Sequence, residues 1–187
     1  MGEAASLREG LKTVAVALKR AEVPFALAGG YAAWALGGPE PNHDVDFLVA
    51  PEDVPRAQQE LREAGLDVVQ PPEDWLFKVH CEDVVVDVLH RGAGRPLADA
   101  LRDAQVQEVI SVEMPVVTAT DLLTQKLLAL DEHYCDLAKV LPVARALREQ
   151  VDWTCVAEWT AGDPFAETVL FLLRRLDVVT LPESRAG

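Results

Sequence analysis

Leu7, Leu11, Val14, Ala15 and Leu18 recur at intervals of three and four residues, which predicts an amphipathic helix over residues 6–21, stopped before Pro24. The period then changes. Phe25-Ala26-Leu27-Ala28 is a short apolar run that predicts a strand, Gly29-Gly30 breaks it, and the alanine-rich stretch Tyr31 to Leu36 starts a helix. Two prolines stiffen the loop from Gly37 to Asn42, after which Asp44 to Val49 predicts the next strand. Residues 52–64 read as a surface helix ended by Gly65, and Leu66 to Val69, Trp75 to His80 and Val84 to Leu89 as strands separated by polar turns. Val106 to Ile110 and Pro115 to Val117 predict one more hairpin. Beyond Thr118 the pattern is helical, over about 119–131, 134–149, 152–160 and 164–176. Helices and strands without a regular βαβ repeat predict an α+β fold, with a mixed sheet and its flanking helices in residues 1–117 and a C-terminal helical part, 118–187, packed on that core.

Half of the 187 residues are apolar, enough for a sizeable core. No stretch approaches the roughly 18 apolar residues of a membrane span, and the start Met1-Gly2-Glu3-Ala4-Ala5-Ser6 lacks the regions of a secretory signal, so a cytoplasmic protein without membrane attachment is expected. Three cysteines, Cys81, Cys135 and Cys155, are an odd number without metal-type spacing, which predicts reduced thiols in or near the core. The net charge of −14 opposes a polyanionic partner unless basic residues gather on one face. Residues 1–117 hold ten basic and twenty acidic side chains, and residues 118–187 hold seven and eleven, so the C-terminal part is the less repulsive.

The candidate chemistry lies in Asp44 and Asp46, set one residue apart in a run that otherwise reads as a buried strand. Strand alternation would point both side chains the same way, with Cα atoms roughly 6.5 Å apart. Two carboxylates at about 4 Å repel by roughly 4 kcal/mol at an effective dielectric near 20, so a divalent cation is the simplest remedy. Asp87 stands among the aliphatics of Val84 to Leu89, where a lone buried carboxylate needs a partner, and it is the candidate third member of a metal cluster. Gly29 and Gly30, between a strand and a helix, offer backbone N–H groups to an anion. Lys126, on the apolar stripe of Leu122, Leu123 and Leu130, either snorkels or faces a site where it suits triphosphate oxygens.

Gly29-Gly30, then His43-Asp44-Val45-Asp46-Phe47-Leu48, then Asp87 resembles the polymerase-beta-type nucleotidyltransferase fold. The resemblance implies that Asp44, Asp46 and Asp87 hold two magnesium ions bridging an NTP and an acceptor hydroxyl, with one carboxylate deprotonating that hydroxyl. Lys126-Leu127-Leu128-Ala129-Leu130 with Asp136 ten residues later is similar to the helical motif of AbiEii-type, or MenT-type, toxins. It implies that Lys126 contacts the triphosphate, that Asp136 orients it, that the acceptor is the 3′ end of tRNA, and that a cognate antitoxin is a partner. This chain departs from the toxins in having His43 where they often carry Thr, Ser or Lys, and in lacking arginines beside Asp136.

Two other functions stay open. One is a small-molecule nucleotidyltransferase of the aminoglycoside or lincosamide kind, whose cationic acceptor suits the acidic chain. The other is a non-catalytic binding module. Arg91, Arg95, Arg102, Lys139, Arg145 and Arg148 are the expected sources of an RNA-binding face, and scattering or neutralisation of them would count against RNA. His43 is either a phosphate or acceptor contact or a solvated loop residue, His133 either shares the helical face of Lys126 and lines the cleft or caps that helix, and Trp75, Trp153 and Trp159 either stack bases or simply pack.

Overall fold

The computed structural model describes residues 3–82 and 84–180. Helix α1 (Glu3–Arg20) turns Leu7, Leu11, Val14, Ala15 and Leu18 inward, none more than 6% exposed. The apolar runs predicted as strands pair into one seven-stranded mixed sheet, built from β1 (Phe25–Ala28), β2 (Val45–Val49), β3 (Asp67–Val69), β4 (Leu76–Cys81), β5 (Val84–Leu89), β6 (Gln105–Val109) and β7 (Val112–Val116) in the order β3-β4-β5-β2-β1-β7-β6. The β2–β5 and β1–β7 pairs are parallel and the others antiparallel. The fold is thus α+β.

Alternation along these strands sorts residues between two environments. Val45, Phe47, Val86 and Val88 are fully buried. Helix α1 packs on this face: a β carbon at Gly10 would touch Val84 Cγ1 at 3.3 Å and Val86 Cγ2 at 3.5 Å. Asp46, Asp87 and Lys78 occupy the opposite, half-open face. There α2 (Gly29–Ala35) packs on β1 and β2 and meets α5 (Ala119–Leu128). Helix α3 (Val54–Glu63) lies beside α1 and β3. Helices α6 (Leu137–Leu147), α7 (Trp153–Trp159) and α8 (Pro164–Arg175) complete the C-terminal part, and all three pack against α5. Thr118, Asp136, Asp152 and Asp163 start α5 to α8 by accepting hydrogen bonds from backbone N–H groups that the helix leaves unpaired. Residues 181–187 of the predicted C-terminal part lie outside the described residues.

Several expectations need correction. Helix α5 stops at Leu128 and α6 begins at Leu137, because Asp131 Oδ1 accepts from the His133 and Tyr134 N–H groups at 2.7 and 2.8 Å and turns the chain between them. His133 is therefore an exposed loop residue, not a member of the Lys126 face. A short helix, α4 (Leu97–Asp103), fills a stretch where no element is predicted. All three cysteines are free; Cys81 packs half-buried against the core and Cys155 is half-buried, but Cys135 is exposed, so the expected place in or near the core fails for Cys135. No helix among the described residues is long and apolar enough to cross a membrane.

Candidate active site

A single row of side chains crosses the half-open face of the sheet. Ala28, Asp46, Asp87, Lys78 and Val69 are register partners in succession on β1, β2, β5, β4 and β3. Directly opposed residues on neighbouring strands point to the same side, about 5 Å apart. Asp46 and Asp87 are thereby neighbours, although 41 residues of chain separate them. Strand β5 is flanked on both sides, by β4 and β2, so Asp87 does not lie on a solvent-facing edge.

Asp46 is the second of these five, between Ala28 and Asp87, and is mostly buried. Burial, together with the Asp87 and Asp44 charges, pushes its carboxyl up to about 6, while Lys126 and Lys78 pull the other way. The crowding is allowed by Gly29, which has φ +60 and presents no side chain to Asp46. Gly30 is equally confined, since a β carbon there would come within 2.8 Å of Pro41 Cβ.

Asp44 departs from the expected geometry. Strand β2 begins at Val45, and Asp44 itself has φ +60, so simple alternation does not apply to it. Its carboxylate is 73% exposed and stands 3.2 Å from His43 Nδ1. Asp44 is close enough for Asp46 to feel its charge, yet among the described residues no three His, Cys, Asp or Glu side chains stand together in metal-holding geometry. Asp87 is engaged by Lys78, whose Nζ donates to Oδ1 at 2.8 Å.

Lys126 does reach this neighbourhood. It lines the same cleft as Asp46, and burial pulls its ammonium below the ordinary lysine range, an effect that Asp46 opposes and Lys139 reinforces. Asp136 caps α6 by accepting from the Ala138 N–H at 3.0 Å, and is not among the residues lining the cleft. Lys139, one turn into α6, donates to the Tyr134 hydroxyl at 3.1 Å and senses Asp136 and Asp44.

The cleft, about 390 Å³, runs from Gly29, Asp46 and Lys126 along the sheet to Leu48, Leu89, Trp75 and Arg91, with Leu122, Gln125 and Ala129 of α5 as its other wall. An apolar trough with charged groups at one end suits a ligand with a flat organic part and an anionic part. Trp75 is 39% exposed at its rim, while Trp153 is buried in the core and Trp159 lies under the Arg95 guanidinium. Beneath the cleft Arg95 donates to both oxygens of Asp121, at 2.6 and 2.8 Å, tying the 90–96 loop to α5. Lys78 is the site residue that sequence reasoning missed. Leu76, Lys78 and His80 do alternate onto one face, but nothing in the sequence says which strand lies opposite.

Solved structures with the same architecture are nucleotidyltransferases. The antibiotic-resistance factor ANT(2″)-Ia is 12% identical, with 92% of this chain and 98% of that chain covered and a TM-score of 0.62. A candidate nucleotidyltransferase from H. pylori is 18% identical, with 97% and 85% covered and a TM-score of 0.53. A nucleotidyltransferase-like protein from Paracoccidioides brasiliensis is 13% identical, with 89% and 93% covered and a TM-score of 0.53. At these identities the likeness is one of fold. No curated protein matches the chain in sequence. Residues 2–181, however, match a family described as uncharacterised nucleotidyltransferase, and the chain belongs to that family.

Proposed function

We propose that the protein transfers a nucleotidyl group from an NTP to a hydroxyl of a cationic small molecule, in a magnesium-dependent reaction. The acceptor oxygen attacks the α-phosphorus, the bond to the bridging oxygen breaks, and pyrophosphate leaves. The hydroxyl proton passes to a carboxylate of the site, for which Asp87 is the candidate. Lys126 holds the triphosphate, and the apolar trough takes the base or the acceptor ring. The residues that would hold a hard divalent cation are the neighbouring carboxylates of Asp46 and Asp87 with Asp44 nearby, oxygen donors of the kind such a cation takes, although Asp44 is turned out beside His43 and Asp87 is held by Lys78. When bound, magnesium supplies charge neutralisation at the phosphates and the leaving group. AbiEii-type or MenT-type activity rests on the Lys126 and Asp136 spacing alone.

One observation supports the cationic acceptor. Four of the six basic residues expected to form an RNA-binding face are matched with acids: Arg91 with Asp74, Arg95 with Asp121 and Asp103, Arg102 with Asp99 and Asp103, and Arg148 with Glu149. A chain of net charge −14 with its arginines so engaged attracts a cation better than a polyanion. ANT(2″)-Ia, solved in complex with adenylyl-2″-tobramycin, supplies a precedent for such an acceptor on this fold.

The test is transfer of label from each α-labelled NTP, with magnesium, to a panel of aminoglycosides and lincosamides and in parallel to total tRNA. Labelled drug that vanishes with Asp46→Asn is the expected result. Label in tRNA alone would restore the toxin reading, absent transfer would leave a binding module, and transfer undiminished by Asp46→Asn would remove Asp46 from the reaction centre.

A further inference from the structure

We infer that Lys78 is a built-in competitor for the metal, holding the Asp87 carboxylate in the free enzyme and releasing it when a divalent cation binds. The inference rests on the metal-dependent reading above and names a regulator of that same site.

The row across the sheet is the basis. Asp46 and Asp87 are like charges on adjacent strands, and the next position in the row is a lysine in register with Asp87. Its ammonium donates to Asp87 Oδ1 at 2.8 Å and so occupies an oxygen that a cation shared by Asp46 and Asp87 would use. Lys126 approaches Asp46 from the helical wall, so the two central carboxylates are flanked by one lysine each. The two lysines differ. Both are half-buried, but Lys126 lines the cleft wall on α5, whereas the Lys78 side chain is 36% exposed and the row beyond it ends at Val69 on edge strand β3, 40% exposed. Lys78 can therefore swing outward without disturbing the core. The pair is also partly exposed, with Asp87 at 25%, and ion pairs of that kind are weak enough to yield to a divalent ion.

This arrangement has a functional meaning. A pre-assembled trio of bare carboxylates would be repulsive in the empty enzyme and would bind cations indiscriminately. A lysine that supplies one positive charge makes the empty state tolerable and raises the cation concentration needed to load the site. Lys78 is a positioning residue: it acts on substrate chemistry only through Asp87.

The experiment is titration of the full-length protein with Mn²⁺, reading free ion by EPR, in wild type, Lys78→Met, Lys78→Arg, Asp46→Asn, Asp87→Asn and Lys78→Met/Asp87→Asn. Thermal melts identify any variant that does not fold, and Lys78→Gln replaces Lys78→Met if needed. Removing the competing charge should tighten Mn²⁺ binding by roughly three- to tenfold. Lys78→Arg should stay near wild type. The gain should disappear in the Asp87→Asn background. Unchanged or weaker binding in Lys78→Met, alongside Asp46-dependent binding in wild type, would overturn the competitor role and leave the metal site standing. Absence of Asp46-dependent Mn²⁺ binding in every variant would overturn the metal reading and the competitor role together.

Discussion

Gly29 and Asp46 occupy each other's space: a β carbon on Gly29 would lie 2.7 Å from Asp46 Cγ, with Oδ2 nearer still. The glycine therefore fixes where the central carboxylate stands. Gly29→Ala combines a side chain at φ +60, costing about 1–3 kcal/mol, with displacement of Asp46. Misplacement of a catalytic group by about 1 Å costs on the order of a hundredfold in rate. Turnover should fall by that factor or more while the melting curve shifts by several degrees. Near-wild-type kcat in Gly29→Ala would remove Asp46 from the reaction centre.

Asp46 makes the protein less stable as it ionises. Its folded carboxyl titrates near 6 against an ordinary value of 3.8, so the folded state holds the proton to higher pH than the unfolded one. Stability from this group is then fully present below about pH 4 and falls as pH rises to about 6, by on the order of 2–3 kcal/mol. Asp46→Asn should be more stable than wild type at pH 7.5 in EDTA, with the advantage shrinking towards pH 4. Urea denaturation across that range measures it, and a pH-independent difference would sink the account.

Lys126→Met should raise the KM for the NTP about ten- to a hundredfold, the value of a charge-assisted contact to phosphate, with a smaller change in kcat. Because burial already disfavours its ammonium, the substitution should leave the melting temperature unchanged or slightly higher. Equal KM values in the two proteins would place the triphosphate elsewhere.

Arg95→Met strips the bidentate partner from Asp121, which is 3% exposed. An uncompensated carboxylate at that depth costs about 3–5 kcal/mol, and Arg95→Lys, with one donor direction in place of a fork, should recover less than half of it. Differential scanning calorimetry of the two variants decides between this account and a merely superficial ion pair.

The β6–β7 hairpin turns at Ile110 and Ser111, both at positive φ, 52° and 62°. Ile110 packs against the core, but Ser111 is exposed and gains nothing from its side chain there. Ser111→Gly should stabilise by about 1 kcal/mol, or roughly 2–4 °C in Tm. A lower Tm would show that the Ser111 hydroxyl has a role beyond conformation.

Much of this fold is legible in the residues themselves. The heptad-like spacing of Leu7 to Leu18 and the strand character of Phe25 to Ala28 and Val84 to Leu89 follow from local pattern, and so do the faces on which Asp46 and Asp87 lie. What local pattern does not contain is which strands become neighbours. The parallel β2–β5 pair is formed across the whole of α3, β3 and β4, and it alone brings Asp46 to Asp87; the separate antiparallel β4–β5 pairing puts Lys78 opposite Asp87. The conformation of Asp44 was hidden for another reason, since a single left-handed residue at a strand entrance breaks the alternation on which the expectation rested. The break between α5 and α6, expected at 132–133, is wider, because one Asp131 side chain captures two backbone N–H groups and ends the helical pattern on both sides.

The crossing row has one more effect, on assembly of the sheet itself. A slip of β5 by one residue against its neighbours would carry Asp87 to the side covered by α1 and expose Val86 or Val88 in its stead. A carboxylate thrust among those aliphatics without a partner would cost several kcal/mol, so the misaligned pairing rejects itself. The acids that prepare the protein for chemistry also proofread the alignment of its strands.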